Sequence, residues 1–233
     1  MGKINLSDIE LYYSESAFIQ NDRITLLGNE YHHSVNVMRN SVSDSIYITD
    51  GEGKIYKCKI EEIKKNELIA NIKETLNFEN TAEYIWFCIP ALKNPDRLKF
   101  AFEKCVELGI TNFVLFTSKY TVPKKVNPNK YKKVFLAAMK QSLRAFLPKI
   151  TTANFEDIIK LPGIKILFEQ NSKKSFNGDL SIEIPSYFLF GPEGGFDESE
   201  INLVSGENRF KLSMNRLRSE TAIIKCASLL SIS

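Results

Sequence analysis

The chain is poor in the residues that build metal centres and disulfide frameworks, with two histidines and four cysteines among 233 residues. His32 and His33 are adjacent and lack a third ligand, so no metal is expected. Cys58, Cys88, Cys105 and Cys226 sit singly among apolar neighbours with no Cys-x-x-Cys pair, which argues against a zinc site or a disulfide scaffold and predicts reduced, buried thiols. Long hydrophobic runs are missing too: the longest, near 85–92, is far shorter than a membrane span. Residues 1–10 lack the basic-then-apolar order of an export signal, so the protein is expected in the cytoplasm, with no membrane partner. Neither sign of charge dominates, with 31 Lys and Arg against 28 Asp and Glu, and a net +3 does not by its size argue for a nucleic-acid partner. Its distribution says more, because residues 119–149 hold nine Lys or Arg and no acid.

Hydrophobic residues make up 43% of the chain, ample for a packed core. The first third reads as short strands at 24–27, 46–49, 55–60 and 68–72. Asp50-Gly51-Glu52-Gly53 turns the second into the third, and Lys64-Lys65-Asn66 the third into the fourth. Between the first two strands, Asn29 is expected to cap a short helix over 30–38. Such strands close most economically as a small barrel. From Lys73 to Glu83 the chain is polar and unpatterned, giving domains at 1–74 and 84–233 with a linker at 75–83. After it the period changes: strands at 84–89, 113–116, 165–168, 187–190 and 209–212 alternate with helices at 95–108, 129–147, 154–159 and 219–232. The predicted class is α/β, a mainly parallel sheet with helices on both faces preceded by a small β-barrel.

Phosphate-binding signatures are lacking. Gly191-Pro192-Glu193-Gly194-Gly195-Phe196 follows the apolar run Tyr187-Phe188-Leu189-Phe190, yet has neither the Lys-Ser/Thr of a P-loop nor the spacing of a dinucleotide turn. Glu193 instead sets a carboxylate in the turn, which repels a polyphosphate and suits a ligand carrying positive charge. Asp197 and Glu200 form a capping box ahead of Ile201, Leu203 and Val204, so the segment reads strand, tight loop, helix. Ligands of open parallel sheets collect beyond the carboxyl ends of the strands, which singles out the loops 168–171, 191–195 and 212–218.

These motifs carry a resemblance. The 191–196 loop, Leu217-Arg218-Ser219-Glu220-Thr221-Ala222, Lys104-Cys105-Val106-Glu107-Leu108-Gly109-Ile110 and His33-Ser34-Val35-Asn36-Val37-Met38-Arg39 resemble the RsmE family of 16S rRNA uridine-N3 methyltransferases over nearly the whole chain. The resemblance implies an N-terminal PUA-like β-barrel that binds RNA and a C-terminal SPOUT domain. Such a domain holds S-adenosyl-L-methionine in a trefoil knot and acts as a homodimer on the small ribosomal subunit. It further implies that Gly191, Glu193, Gly194, Leu212, Leu217, Arg218, Thr221 and Ala222 contact the cofactor, and the loops at the strand ends add Phe168 and Met214 as candidates. Ser219 stands where the family has Thr and keeps a hydroxyl able to cap the last helix; Met38 stands where Leu is usual. Two other positions depart further, since the family commonly has Glu at Lys140 and Arg at Phe146.

Methylation of uracil N3 requires that nitrogen to lose its proton as the methyl carbon arrives. Arg218 is the candidate for stabilising the uracil anion, and a carboxylate, Glu193 or Glu220, for taking the proton; the base is left open between them. For RNA, the candidates are His33 and Arg39 on the short helix, and Lys133, Lys140 and Arg144 as a stripe along the 129–147 helix. The alternatives are a SPOUT enzyme acting on ribose 2′-OH or another base, and a non-catalytic RNA-binding assembly factor.

Overall fold

The computed structural model describes residues 9–123 and 126–230. Ile232, expected in the last helix, and Lys124 and Lys125 of the acid-free stretch lie outside them. The chain forms two compact units, residues 1–80 with 139–147, and residues 81–138 with 148–233.

The first unit is built on a six-stranded sheet. Its elements are β1 (Leu11–Tyr13), β2 (Ile19–Gln20), β3 (Arg23–Leu27), helix α1 (Gly28–His32), β4 (Ser45–Thr49), β5 (Lys54–Ile63) and β6 (Glu67–Asn77), with strand order β1-β4-β5-β6-β3-β2. Pairing is antiparallel except for β1 against β4. The sheet curls: Tyr12 of β1 shares a core with Ile24 and Leu26 of β3, and the Ser14 hydroxyl donates to the Thr25 carbonyl at 3.1 Å. β1 and β2 carry no turn-flanked alternating run long enough to mark them in sequence. Asn29 does not cap α1, whose N-cap is Leu27 without a side-chain bond. The helix also does not run on as α to Met38; His33–Val37 widens into a π-turn, with the Met38 N–H donating to the His33 carbonyl at 2.9 Å.

Residues 145–147 complete this unit. Gly53 donates to the Ala145 carbonyl at 3.0 Å, Leu147 to the Gly51 carbonyl at 2.8 Å, and Glu52 bridges Phe146. Both turn glycines have positive φ, and a Cβ at Gly53 would lie 2.8 Å from the Phe146 ring, so the turn needs glycine for its bend and for this close approach. Phe146 packs on a buried cluster of Leu11, Ile55 and Ala145, which accounts for an apolar residue there.

The second unit is a six-stranded, all-parallel sheet. Its strands are β7 (Ile85–Pro90), β8 (Asn112–Thr117), β9 (Lys149–Asn154), β10 (Ile164–Phe168), β11 (Ser186–Phe190) and β12 (Arg209–Phe210), and its helices are α2 (Pro95–Glu107), α3 (Lys132–Gln141), α4 (Phe155–Lys160), α5 (Glu198–Ile201) and α6 (Ser219–Leu229). Strand order is β12-β10-β11-β7-β8-β9. β11 therefore enters between β10 and β7, and the carboxyl ends of all six strands point one way. All five residues of β11 are buried, as a parallel strand covered on both faces must be. Phe102 of α2 and Phe135 of α3 meet Phe113 of β8 with ring centroids 5.2 and 5.1 Å away. α2 begins on Asn94, whose side chain accepts from the Asp96 and Arg97 N–H groups, has Pro95 in its first turn, and ends at Gly109 with φ +93°.

Several expectations are corrected. The boundary between the units at 80/81 falls inside the expected linker 75–83, but that segment is structured at both ends: β6 runs to Asn77, and the Asn112 amide donates to the carbonyls of Ala82, Glu83 and Ile85. The 129–147 helix stops at Gln141 because Leu143 adopts φ +57°, and residues 128–131 are a 3₁₀ turn capped by Asn127. β9 has no counterpart among the expected strands, since Lys149, Thr151, Thr152 and Asn154 leave only Ile150 and Ala153 apolar and the segment reads as polar loop. The four cysteines are free and buried, and burial pushes their thiols up, that of Cys58 to about 12.

Candidate functional site

Four segments of the second unit converge on a cleft of about 540 Å³: the loop after β10, the glycine turn after β11, the stretch from Leu212 into α6, and Arg97 on the first turn of α2. The volume is within the range of small-molecule sites. The Ser219 hydroxyl donates to the Gly191 carbonyl at 2.7 Å, tying the glycine turn directly to the start of α6. Ser219 is thus not the helix cap; Arg218 occupies that position without a side-chain cap bond. Sequence reasoning kept the hydroxyl and gave it the wrong acceptor.

The glycine turn is held from three sides. Within it, the Gly195 N–H donates to the Pro192 carbonyl at 2.9 Å, and Gly195 has φ +75°. The Glu193 carboxylate accepts from the Lys93 N–H at 3.0 Å, across from the segment that follows β7. Beyond the turn, the expected capping box is present: Asp197 and Glu200 cap α5 reciprocally. Asp197 also accepts from the Lys119 ammonium and the Tyr120 hydroxyl, both at 2.8 Å, while buried Glu200 accepts the Lys119 N–H at 2.9 Å. The Lys119 ammonium, with help from Ser199 and Tyr120, holds the Asp197 carboxyl well below the usual carboxylate range. A Cβ at Gly194 would come 3.1 Å from Tyr120 Cβ, so the clasp closes tightly on the turn. On the other side, the Gln170 amide donates to the Ser213 and Met214 carbonyls at 3.2 and 3.1 Å and links the β10 loop to the Leu212 stretch.

Of the cofactor candidates, Phe168, Gly191, Glu193, Leu212, Leu217, Arg218 and Ala222 line the cleft. Gly194, Met214 and Thr221 do not line it, and Met214 is 79% exposed. Glu169, Gln170 and Arg216 line it as well, within the loops 168–171 and 212–218 that sequence singled out without naming them as contacts, whereas Arg97, which also lines it, lay outside every expected loop. Arg97 lies on a helix legible in sequence for its buried stripe alone, and no local pattern marks a half-buried arginine as facing a cleft whose other walls come from far along the chain. Its Nε is 3.5 Å from the Glu220 carboxylate. Among the described residues Arg216 and Arg218 make no ion pair, and both are exposed.

The RNA candidates are less uniform. Arg39 is exposed at φ +60°, just past the π-turn, and Asn40 beside it donates to the Tyr12 hydroxyl and to Ser34. His33 lies 3.6 Å from Glu10 and edge-on to Tyr12. Lys133 is exposed on α3. Lys140 is not: its ammonium contacts both Glu30 oxygens at 2.8 and 2.9 Å, and the pair is 16% and 15% exposed. Arg144 falls beyond the end of α3 and is half-buried, so the three do not form a continuous helical stripe. Among the described residues there is no group of three or more His, Cys, Asp or Glu able to hold a metal, and no helix long and apolar enough to cross a membrane.

Comparison with known proteins adds the family. Residues 79–231 match the RNA methyltransferase domain and residues 26–73 the RNA methyltransferase PUA domain. The ribosomal RNA small subunit methyltransferase E of Rickettsia conorii is 28% identical over 222 residues, covering 91% of each chain. That of Mesomycoplasma hyopneumoniae is 30% identical over 177 residues, 69% of this chain and 73% of its own. The crystal structure of the Neisseria gonorrhoeae enzyme, solved bound to S-adenosyl methionine, shares the fold with a TM-score of 0.81 at 23% identity, over 94% of this chain and 95% of that one. With a domain match over more than half its length and a relative at that identity, the chain belongs to the RsmE family of ribosomal RNA small-subunit methyltransferases, a SPOUT domain joined to a PUA-like one.

Proposed function

We propose that this protein uses S-adenosyl-L-methionine to methylate N3 of one uridine in small-subunit ribosomal RNA, in the cytoplasm and as a homodimer. The observation that carries this reading is the Ser219–Gly191 hydrogen bond, which makes one cleft of the two sequence motifs. The residues present fit the cofactor. Phe168, Leu212 and Ala222 offer an apolar wall for a flat ring system, and the glycine turn lets backbone approach closely. The carboxylates of Glu169 and Glu193 are the lining groups of the sign that a sulfonium and an amino group pair with, beside three arginines on the same lining. The methyl carbon bound to that sulfonium is the electrophile the cofactor supplies.

The chain's own part is to position and to stabilise charge. Arg218, exposed at the cleft and without an ion pair among the described residues, is the group assigned to the negative charge that uracil develops as N3 loses its proton. Holding nitrogen and carbon in line at contact distance supplies much of the remaining acceleration. The knotted threading typical of SPOUT domains fits a β11 that enters between β10 and β7. Domain 1–74, with His33 on the π-turn and Arg39 just past it, is assigned to RNA binding; Lys133 and Arg144 are further candidates, whereas Lys140 is engaged by Glu30. Primer extension on ribosomal RNA from a strain lacking the gene tests substrate and position together, because N3 methylation blocks base pairing. Loss of one reverse-transcription stop at a uridine, restored by the purified protein with S-adenosylmethionine, is the expected result. An unchanged pattern of stops would sink the reading. Sedimentation of the purified protein tests the dimer.

A further inference from the structure

Three carboxylates line the cleft, and they differ in what holds them. Glu193 is exposed and has one oxygen taken by the Lys93 N–H. Glu169 follows β10 and is half-buried. Glu220 is 13% exposed, sits in the first turn of α6 two residues after Arg218, and is met from α2 by Arg97 at 3.5 Å. All three of Arg97, Glu220 and Arg218 line the cleft. That trio carries the group types that complement one edge of uracil. Around N3, uracil presents an acceptor, a donor and an acceptor: the O4 carbonyl, the N3–H and the O2 carbonyl. A carboxylate flanked by two guanidiniums presents donor, acceptor, donor. Cytosine reverses two of the three and would leave groups unpaired, which is costly in a partly desolvated site.

We propose that Glu220 takes the N3 proton of the target uracil, with Arg97 both orienting that carboxylate and donating to one uracil carbonyl. This rests on the uridine-N3 reading above. The N–H pair stays on nitrogen as the proton passes to a Glu220 oxygen, the N3–CH₃ bond forms from that pair, and the C–S bonding pair returns to sulfur, discharging its positive charge. Arg218 and Arg97 face the O2 and O4 carbonyls, where the anionic charge resides. Other charged groups of the cleft are Glu169, Glu193 and Arg216.

The test compares wild type, Glu220→Gln and Arg97→Gln on small subunits carrying either uridine or the more N3-acidic 5-fluorouridine, over a range of rising pH. Calorimetry with S-adenosylmethionine runs alongside. Glu220→Gln is expected to bind the cofactor as wild type does and to lose about 100-fold in turnover, the lower end for a general base. The loss should shrink on 5-fluorouridine and as pH rises towards the ionisation of N3. Arg97→Gln should show a smaller loss with the same dependence, which a merely structural residue would not give. A Glu220→Gln defect equal on both substrates and at every pH, absent altogether, or accompanied by lost cofactor binding overturns the assignment alone. Wild-type protein that methylates no N3 overturns the functional reading with it.

Discussion

Along Arg23–Leu27 of the first unit, Ile24 and Leu26 are inside while Arg23 and Leu27 are outside; along Ser186–Phe190 of the second unit, every residue is inside. The first pattern belongs to an antiparallel sheet with one wet face, the second to a parallel sheet covered on both sides. The difference teaches where chemistry can be built. A one-faced sheet spends its outer positions on solubility and contact surface. A two-faced sheet leaves only its strand ends for function, and there the second unit gathers its cleft-lining loops.

Adjacent substitutions in each sheet are the strongest way to break this comparison. Phe188→Ala should cost about 3–5 kcal/mol, and Tyr187→Ala on the opposite face should also be severe. In the first unit, Ile60→Ala should cost about 2–5 kcal/mol. Its neighbour Glu61→Ala, which loses a solvent-exposed pair with Arg23, should stay under about 1 kcal/mol. Chemical denaturation checks all four, and a tolerant position within β11 would remove the distinction.

Function should be just as unevenly spread. Arg218→Ala is expected to lower turnover by about 100- to 1,000-fold, the cost of losing one charge-stabilising donor, with little change in RNA affinity. Single-turnover kinetics beside a binding titration separates the two quantities, and unaltered turnover removes Arg218 from its role.

A smaller effect sharpens the account of the first unit. Lys140→Met leaves the Glu30 carboxylate with the Tyr13 N–H and should cost about 1–3 kcal/mol; Glu30→Gln in the same background should cost little more. A double-mutant cycle on thermal stability measures it, and full additivity would mean that the pair is not coupled.

The smallest expected effect is a pH slope in the second unit. Because the Lys119 ammonium lowers the Asp197 carboxyl, the unfolded chain binds the proton more readily. The contribution is therefore present at neutral pH and is lost as pH falls below the ordinary carboxylate value of about 4. Asp197→Asn should flatten stability against pH in that acid window and leave the slope above it alone. An equal slope in both proteins would refute the clasp as a pH-linked contact.

Much of this was legible along the chain because it depends on neighbours in sequence. Periodicity disclosed the buried face of α2 and an unbroken apolar run disclosed β11, the Asp197–Glu200 capping box follows from spacing alone, and the turn at 50–53 announced itself by its glycines. Failures came where a distant partner supplied what local pattern lacked. Leu143 ends α3 against its own helical periodicity, because residues 145–147 are bound to the turn at 50–53. Short β1 and polar β9 gain their pairing from β4 and β8.

Side-chain types and their local spacing by themselves settled the class of each unit and the two motifs of the cleft, since hydrophobic period and backbone turn chemistry act over a few residues. Tertiary structure alone decided which acid meets which base. Lys140 faces Glu30, Arg97 faces Glu220 and Ser219 reaches Gly191, because a charged or hydroxyl side chain accepts any partner of the right sign and only folding limits it to one.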